Sequence, residues 1–148
     1  MNNTYTIYLH IIGVIDDDAK ILEINNWDGE EIVEASSRIF VKKQTFNLLT
    51  SSNFTGVLGI KNINKIEDSL YLQFQDQKNN PLVELILSQD NTCDFYWHKG
   101  SLHASLKAVN FIKNKLFLGS CKIRLSSLPY PDPLKDDCLT IPILNFKN

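Results

Sequence analysis

Apolar and polar side chains alternate with a period of two along much of this chain, the signature of strands with one buried face. Leu70, Leu72 and Phe74 alternate with Tyr71, Gln73 and Gln75. A polar turn, Gln77-Lys78-Asn79-Asn80, follows, and Val83, Leu85 and Leu87 then fall on one face. A four-residue loop there pairs Phe74 with Val83, Leu72 with Leu85 and Leu70 with Leu87. Three apolar pairs in register predict a hairpin.

The region 92–125 predicts a three-stranded meander. Gly100-Ser101 suits a type II′ turn, which takes glycine at its first central position. That turn pairs Trp97 with Ala104 and Phe95 with Leu106, so large aromatics face small or branched side chains. The opposite face gathers His98 against His103, Tyr96 against Ser105 and Asp94 against Lys107. A second turn at Lys113-Asn114 then brings Leu106 opposite Cys121, Ala104 opposite Ile123 and Leu102 opposite Leu125. Near that turn the pattern weakens, because Asn110 falls on the apolar face. A helix from Ser101 to Ile112 competes, with Leu102, Leu106 and Val109 at helical spacing; the meander is preferred.

Short helices are expected near Asp28-Gly29-Glu30-Glu31, where Asp28 would cap and acids favour the N-terminal dipole, and at Gln44 to Ser52. Pro129, Pro131 and Pro133 cannot sit in a central strand and predict a loop before a last strand, Leu139 to Phe146. No repeat or linker divides the chain. The expected fold is mainly β: one domain over residues 1–148, an antiparallel β-sandwich or partly closed barrel of roughly eight to ten strands with one or two short helices.

Composition agrees: four Ala against eight Phe and five Tyr weigh against a helical bundle. The first apolar stretch, Ile7 to Ile15, follows no basic side chain and is broken by His10 and Gly13, so it is expected to be no secretory signal, and it is too short to span a bilayer. A cytoplasmic chain with no membrane partner is expected. Cys93, Cys121 and Cys138 show no metal-ligand spacing and read as inert thiols.

The net charge of −2 hides an uneven distribution. Residues 1–34 carry eight carboxylates against Lys20 alone, a net −7, whereas residues 99–124 carry six cations and no acid. An acidic surface of Asp16, Asp17, Asp18, Trp27, Asp28, Glu30 and Glu31 is therefore expected to meet a basic protein, since carboxylates steer association and Trp anchors interfaces. Core packing competes for Trp27. Asp16-Asp17-Asp18 with Asp132, Asp136 and Asp137 has oxygen donors for calcium, but lacks the glycine and terminal glutamate of an EF-hand loop.

The alternative site is the polar face of the meander: Tyr96, His98, His103, Lys107, Lys122 and Arg124 against phosphate or single-stranded nucleic acid. Overall acidity opposes affinity for long polyanions. Two imidazoles supply only half of a four-coordinate zinc set, so neither metal nor cofactor is expected. His10, inside an apolar strand, reads as a satisfied core side chain. Gly56-Val57-Leu58-Gly59 is no phosphate loop, and GxSxG and HExxH are missing. The sequence points to a non-enzymatic protein-binding module of inhibitor, immunity or adaptor type; the alternative is a small anion- or nucleic-acid-binding domain, enzymatic or not.

Overall fold

The computed structural model describes residues 4–16, 18, 21–68, 80–119 and 121–126. In chain order these form β1 (Thr4–Tyr8), β2 (Ile11–Ile15), β3 (Ile21–Ile24), β4 (Ile32–Ala35), β5 (Arg38–Lys42), α1 (Lys43–Ser51), β6 (Val57–Lys61), β7 (Lys65–Asp68), β8 (Leu82–Leu87), β9 (Phe95–His98), β10 (Ser101–Ser105), α2 (Leu106–Lys115) and β11 (Lys122–Leu125). The strands make two open sheets, ordered β11-β1-β10-β9 and β6-β8-β5-β4-β2-β3-β7. The molecule is thus mainly β and sandwich-like, and the described residues include two helices and two sheets that do not close into a barrel. Most pairings are antiparallel; β2 with β4 and β3 with β7 are parallel.

Alternation decides which way each strand of the smaller sheet faces. Tyr5 and Ile7 of β1, Phe95 of β9, Leu102 and Ala104 of β10 and Ile123 of β11 all point inward. They meet Ile32, Ile39, Val41, Val83 and Leu85 of the larger sheet, with Leu49 of α1 and Ala108, Val109 and Ile112 of α2 packed into the same core. The larger sheet is buried on its second face too, where Ile12, Leu22, Ile24, Val33, Phe40 and Leu82 cluster with Trp27. Burial on both faces accounts for the unbroken apolar runs Ile32-Val33 and Ile39-Phe40-Val41.

The chain does reverse between His98 and Ser101, but through Lys99-Gly100. Both residues have positive φ, 51° and 75°, as a type I′ turn requires. His103 therefore lies opposite Tyr96, and Leu102 opposite Trp97, two residues from the expected register. A shift of two leaves every side chain on its expected face. Beyond Ser105 the meander gives way to α2. The Ser105 hydroxyl accepts from the Ala108 amide at 3.2 Å, capping a helix that buries Ala108, Val109 and Ile112. The helix carries the chain past β10, so β11 pairs with β1 instead, with Tyr5 opposite Leu125 and Ile7 opposite Ile123.

The helix expected at Gln44–Ser52 forms as α1, whose first turn is satisfied from outside: Asn80 Oδ1 accepts from Gln44 N at 2.8 Å and Pro81 O from Lys43 N at 2.9 Å. No helix forms at Asp28–Glu31. Glu30 bonds the Asp28 amide, and the chain runs extended into β4. β8 pairs with β5 and β6. The other arm of the expected hairpin, the proline loop, the last strand and Cys138 lie outside the described residues.

Two glycines stand where backbones close to within van der Waals range. A Cβ at Gly13 would collide with the Glu23 carbonyl across the β2–β3 ladder, and one at Gly56 with the Phe95 carbonyl, where φ is also +96°. Around Gly59 there is open space. Gly13→Ala and Gly56→Ala are each expected to lower unfolding free energy by about 3 kcal/mol, with Gly59→Ala within about 0.5 kcal/mol of the parent, as read from urea unfolding midpoints.

Candidate functional site

The acidic N-terminal segment divides into carboxylates that hold the fold and carboxylates that face water. Glu30 is 4% exposed, and its Oε2 lies 2.7 Å from His10 Nδ1 while its Oε1 accepts from the Asp28 amide at 3.0 Å. Glu31 accepts from the Thr45 hydroxyl at 2.9 Å and the Phe117 amide at 2.7 Å, tying α1 and the chain leaving α2 to one side chain. Trp27 is buried, its indole N–H donating to the Glu30 carbonyl at 3.0 Å, and the Lys42 ammonium sits 5.6 Å from its ring centre. Trp27 and Glu30 are structural because a buried indole or carboxylate must find partners inside the protein, and half-buried Glu31 is tied to the fold by its two donors. His10, expected in the core, is half-buried at its edge and bonds Glu30.

Asp16, Asp18 and Asp28 are exposed, and Asp16 accepts from the Ile21 amide at 2.7 Å to close the β2–β3 turn. Asp17, like Asp132, Asp136 and Asp137, lies outside the described residues. The exposed acids have apolar neighbours that the sequence reading passed over. Val14 stands beside Glu23 across the β2–β3 ladder, and Glu23 beside Glu67 across β3–β7. Ile11 lies alongside Glu34, whose other neighbour is Ile39 in the core. This is the larger sheet's inner face, continued beyond the reach of the smaller sheet. It leaves Ile11 61%, Val14 50% and Ile21 42% exposed. A bulge between Ile11 and Gly13 puts Ile11 and Val14, three residues apart, on the same face, breaking the alternation that would have marked them. Partial burial at this margin pushes the Glu34 carboxyl up from its ordinary value.

The smaller sheet's outer face does collect Tyr96, His98, His103, Lys122 and Arg124, together with Thr6 between β10 and β11. Lys107 leaves this face because it belongs to α2, where its ammonium lies 5.1 Å from the Phe54 ring centre. The predicted partner Asp94 instead accepts from the hydroxyls of Ser105 and Thr55. The face is largely buried: Tyr96 is 6% and Arg124 4% exposed. Tyr96 stacks on His103 at 4.8 Å, and His103 Nδ1 lies 3.2 Å from Thr6 Oγ1 and 3.0 Å from Ser126 Oγ. Burial, followed by the neighbouring His98 charge, pulls the His103 pKa below its ordinary value against a backbone hydrogen bond to His98.

Among the described residues no three His, Cys, Asp or Glu side chains gather as a metal set, and no helix is long and apolar enough to cross a membrane. Cys93 and Cys121 are free thiols. Burial and the Glu30 charge push the Cys121 thiol up to about 11, which removes its nucleophilic form at neutral pH. No protein-family model, curated protein or solved structure matches the chain.

A His held neutral by burial makes folding oppose protonation. The unfolded chain takes up that proton below about pH 6.5, so His103's share of stability is intact above this pH and is lost as pH falls towards the depressed folded value. His103→Gln should therefore show a smaller drop in unfolding free energy between pH 7 and pH 5 than the parent; equal drops would contradict the assignment.

Proposed function

We propose that this chain is a non-enzymatic protein-binding module that engages a basic partner through the inner-face overhang of β2, β3 and β7. The supporting observation is the exposure of Ile11, Val14 and Ile21 beside Asp16, Asp18, Glu23 and Glu67. Contiguous exposed aliphatic side chains mark contact surfaces in soluble proteins. An apolar centre with a charged rim is the anatomy of a transient interface, in which the centre supplies affinity and the rim orients the approach. Lys65 pairs with Glu67 at 3.1 Å, which offsets the charge at that end of the rim. The proposal keeps the acidic partner-binding surface expected from the sequence, moves it off Trp27, Glu30 and Glu31, and gives it an aliphatic centre. Anion binding at the cationic face has less support, because Tyr96 and Arg124 are buried and His103 is internally bonded.

Affinity capture from native lysate, followed by surface plasmon resonance on the recovered partner, tests this reading. The partner should be basic, and its association rate should fall as salt rises. Val14→Ser with Ile21→Ser should weaken binding about tenfold, mainly through faster dissociation. Glu23→Lys should slow association and leave thermal stability unchanged. Binding that ignores all three substitutions would overturn the proposal.

A further inference from the structure

Between the end of β1, the 26–30 segment and the start of β11 lies a cleft of about 340 Å³. That is within the range of small-molecule sites. Its wall is chemically mixed. Lys122 brings a cation, Asp28 and Glu30 bring carboxylates, Tyr8 and Asn26 bring a hydroxyl and an amide, and Leu9 and Leu118 form an apolar part. His10 also lines it.

The His10–Glu30 pair is the unusual element. Burying a carboxylate is costly, and an apolar side chain would fill the same volume without that cost. What the carboxylate provides is a fixed imidazole: Oε2 holds His10 Nδ1 at 2.7 Å, and Oε1 is itself fixed by the Asp28 amide at 3.0 Å. Carboxylates that orient a histidine in this way are typical of sites where the other ring nitrogen acts on a ligand. His10 Nε2 has no hydrogen-bond partner among the described residues, and the side chain is 24% exposed.

We propose that this cleft binds a neutral, polyhydroxylated ligand the size of a monosaccharide, with His10 Nε2 as its central polar contact. Charge excludes ligands of a single net sign, and a polyol is favoured over a zwitterion because its hydroxyls need not match Lys122, Asp28 and Glu30 at one fixed charge separation. An oxyanion would sit against Asp28 and Glu30, and an organic cation against Lys122. A hydroxyl both donates and accepts, so it meets every polar group on the wall without burying an unpaired charge. Leu9 and Leu118 suit the C–H face of a sugar ring. The site is separate from the β2-β3-β7 overhang.

The test is an NMR titration of the full chain with ring-¹⁵N-labelled histidine, adding glucose, galactose, mannose and ribose one at a time, then acetate, phosphate and methylammonium. At least one sugar should move the His10 resonances saturably, with His98 and His103 still. Asn26→Ala and Asp28→Asn change exposed side chains, and each should weaken that response about tenfold at unchanged melting temperature. The proposal is overturned if no sugar moves His10, if acetate, phosphate or methylammonium saturates it more tightly than any sugar, or if both variants respond like the parent.

Discussion

A carboxylate removed from water persists in a protein only where donors replace its hydration, and the organisation of this molecule turns on one such group. Glu30 takes its replacements from His10, just past β1, and from the Asp28 amide. Around that point the segment between β3 and β4 becomes a junction. Trp27 donates to the Glu30 carbonyl, Gly119 packs so near the carboxylate that a Cβ there would lie 3.1 Å from Oε2, and Glu31 binds Thr45 of α1 and the amide of Phe117. Two adjacent acids therefore join both sheets' connections. Removing one partner of a buried pair leaves an uncompensated charge, which costs far more than the pair contributes on balance.

This arrangement also determines what the charge-rich beginning of the chain presents to solvent. With Glu30 buried and Glu31 held by its donors, the exposed acids among the described residues of this segment are Asp16, Asp18, Glu23 and Asp28. Three of these stand along the turn and strands where the larger sheet outreaches the smaller. There a face that is core at Ile39 and Val41 emerges as exposed Ile11, Val14 and Ile21. Among the described residues the sheets have unequal widths, four strands against seven, and the difference leaves an apolar surface with an acidic border.

Face assignments were legible in the sequence, because alternation at Phe95, Trp97, Leu102 and Ala104 survives a register error of two. The exact register was not, since Gly100-Ser101 satisfies type II′ chemistry, whereas the turn that forms places the non-glycine Lys99 at a φ of 51°. The switch to helix at Leu106 left traces in the Ser105 cap and in Asn110, which had no place on an apolar strand face; a short apolar run cannot otherwise choose between periods of 2 and 3.6. Charge counting found the acids but not their fates. Glu30 meets a histidine 20 residues away and Glu31 an amide 86 residues away, contacts that only the tertiary fold brings together. The overhang was hidden for a similar reason: whether Val14 and Ile21 are covered depends on the opposing sheet, which the local pattern does not encode.

The most direct measurement is a double-mutant cycle on folding free energy, using His10→Gln, Glu30→Gln and the two together. If the buried pair closes the junction as described, each single substitution destabilises strongly and the double variant recovers part of the loss, with a coupling of about 1–3 kcal/mol. Additive effects with coupling near zero would mean that His10 and Glu30 act independently, and the junction would need another explanation.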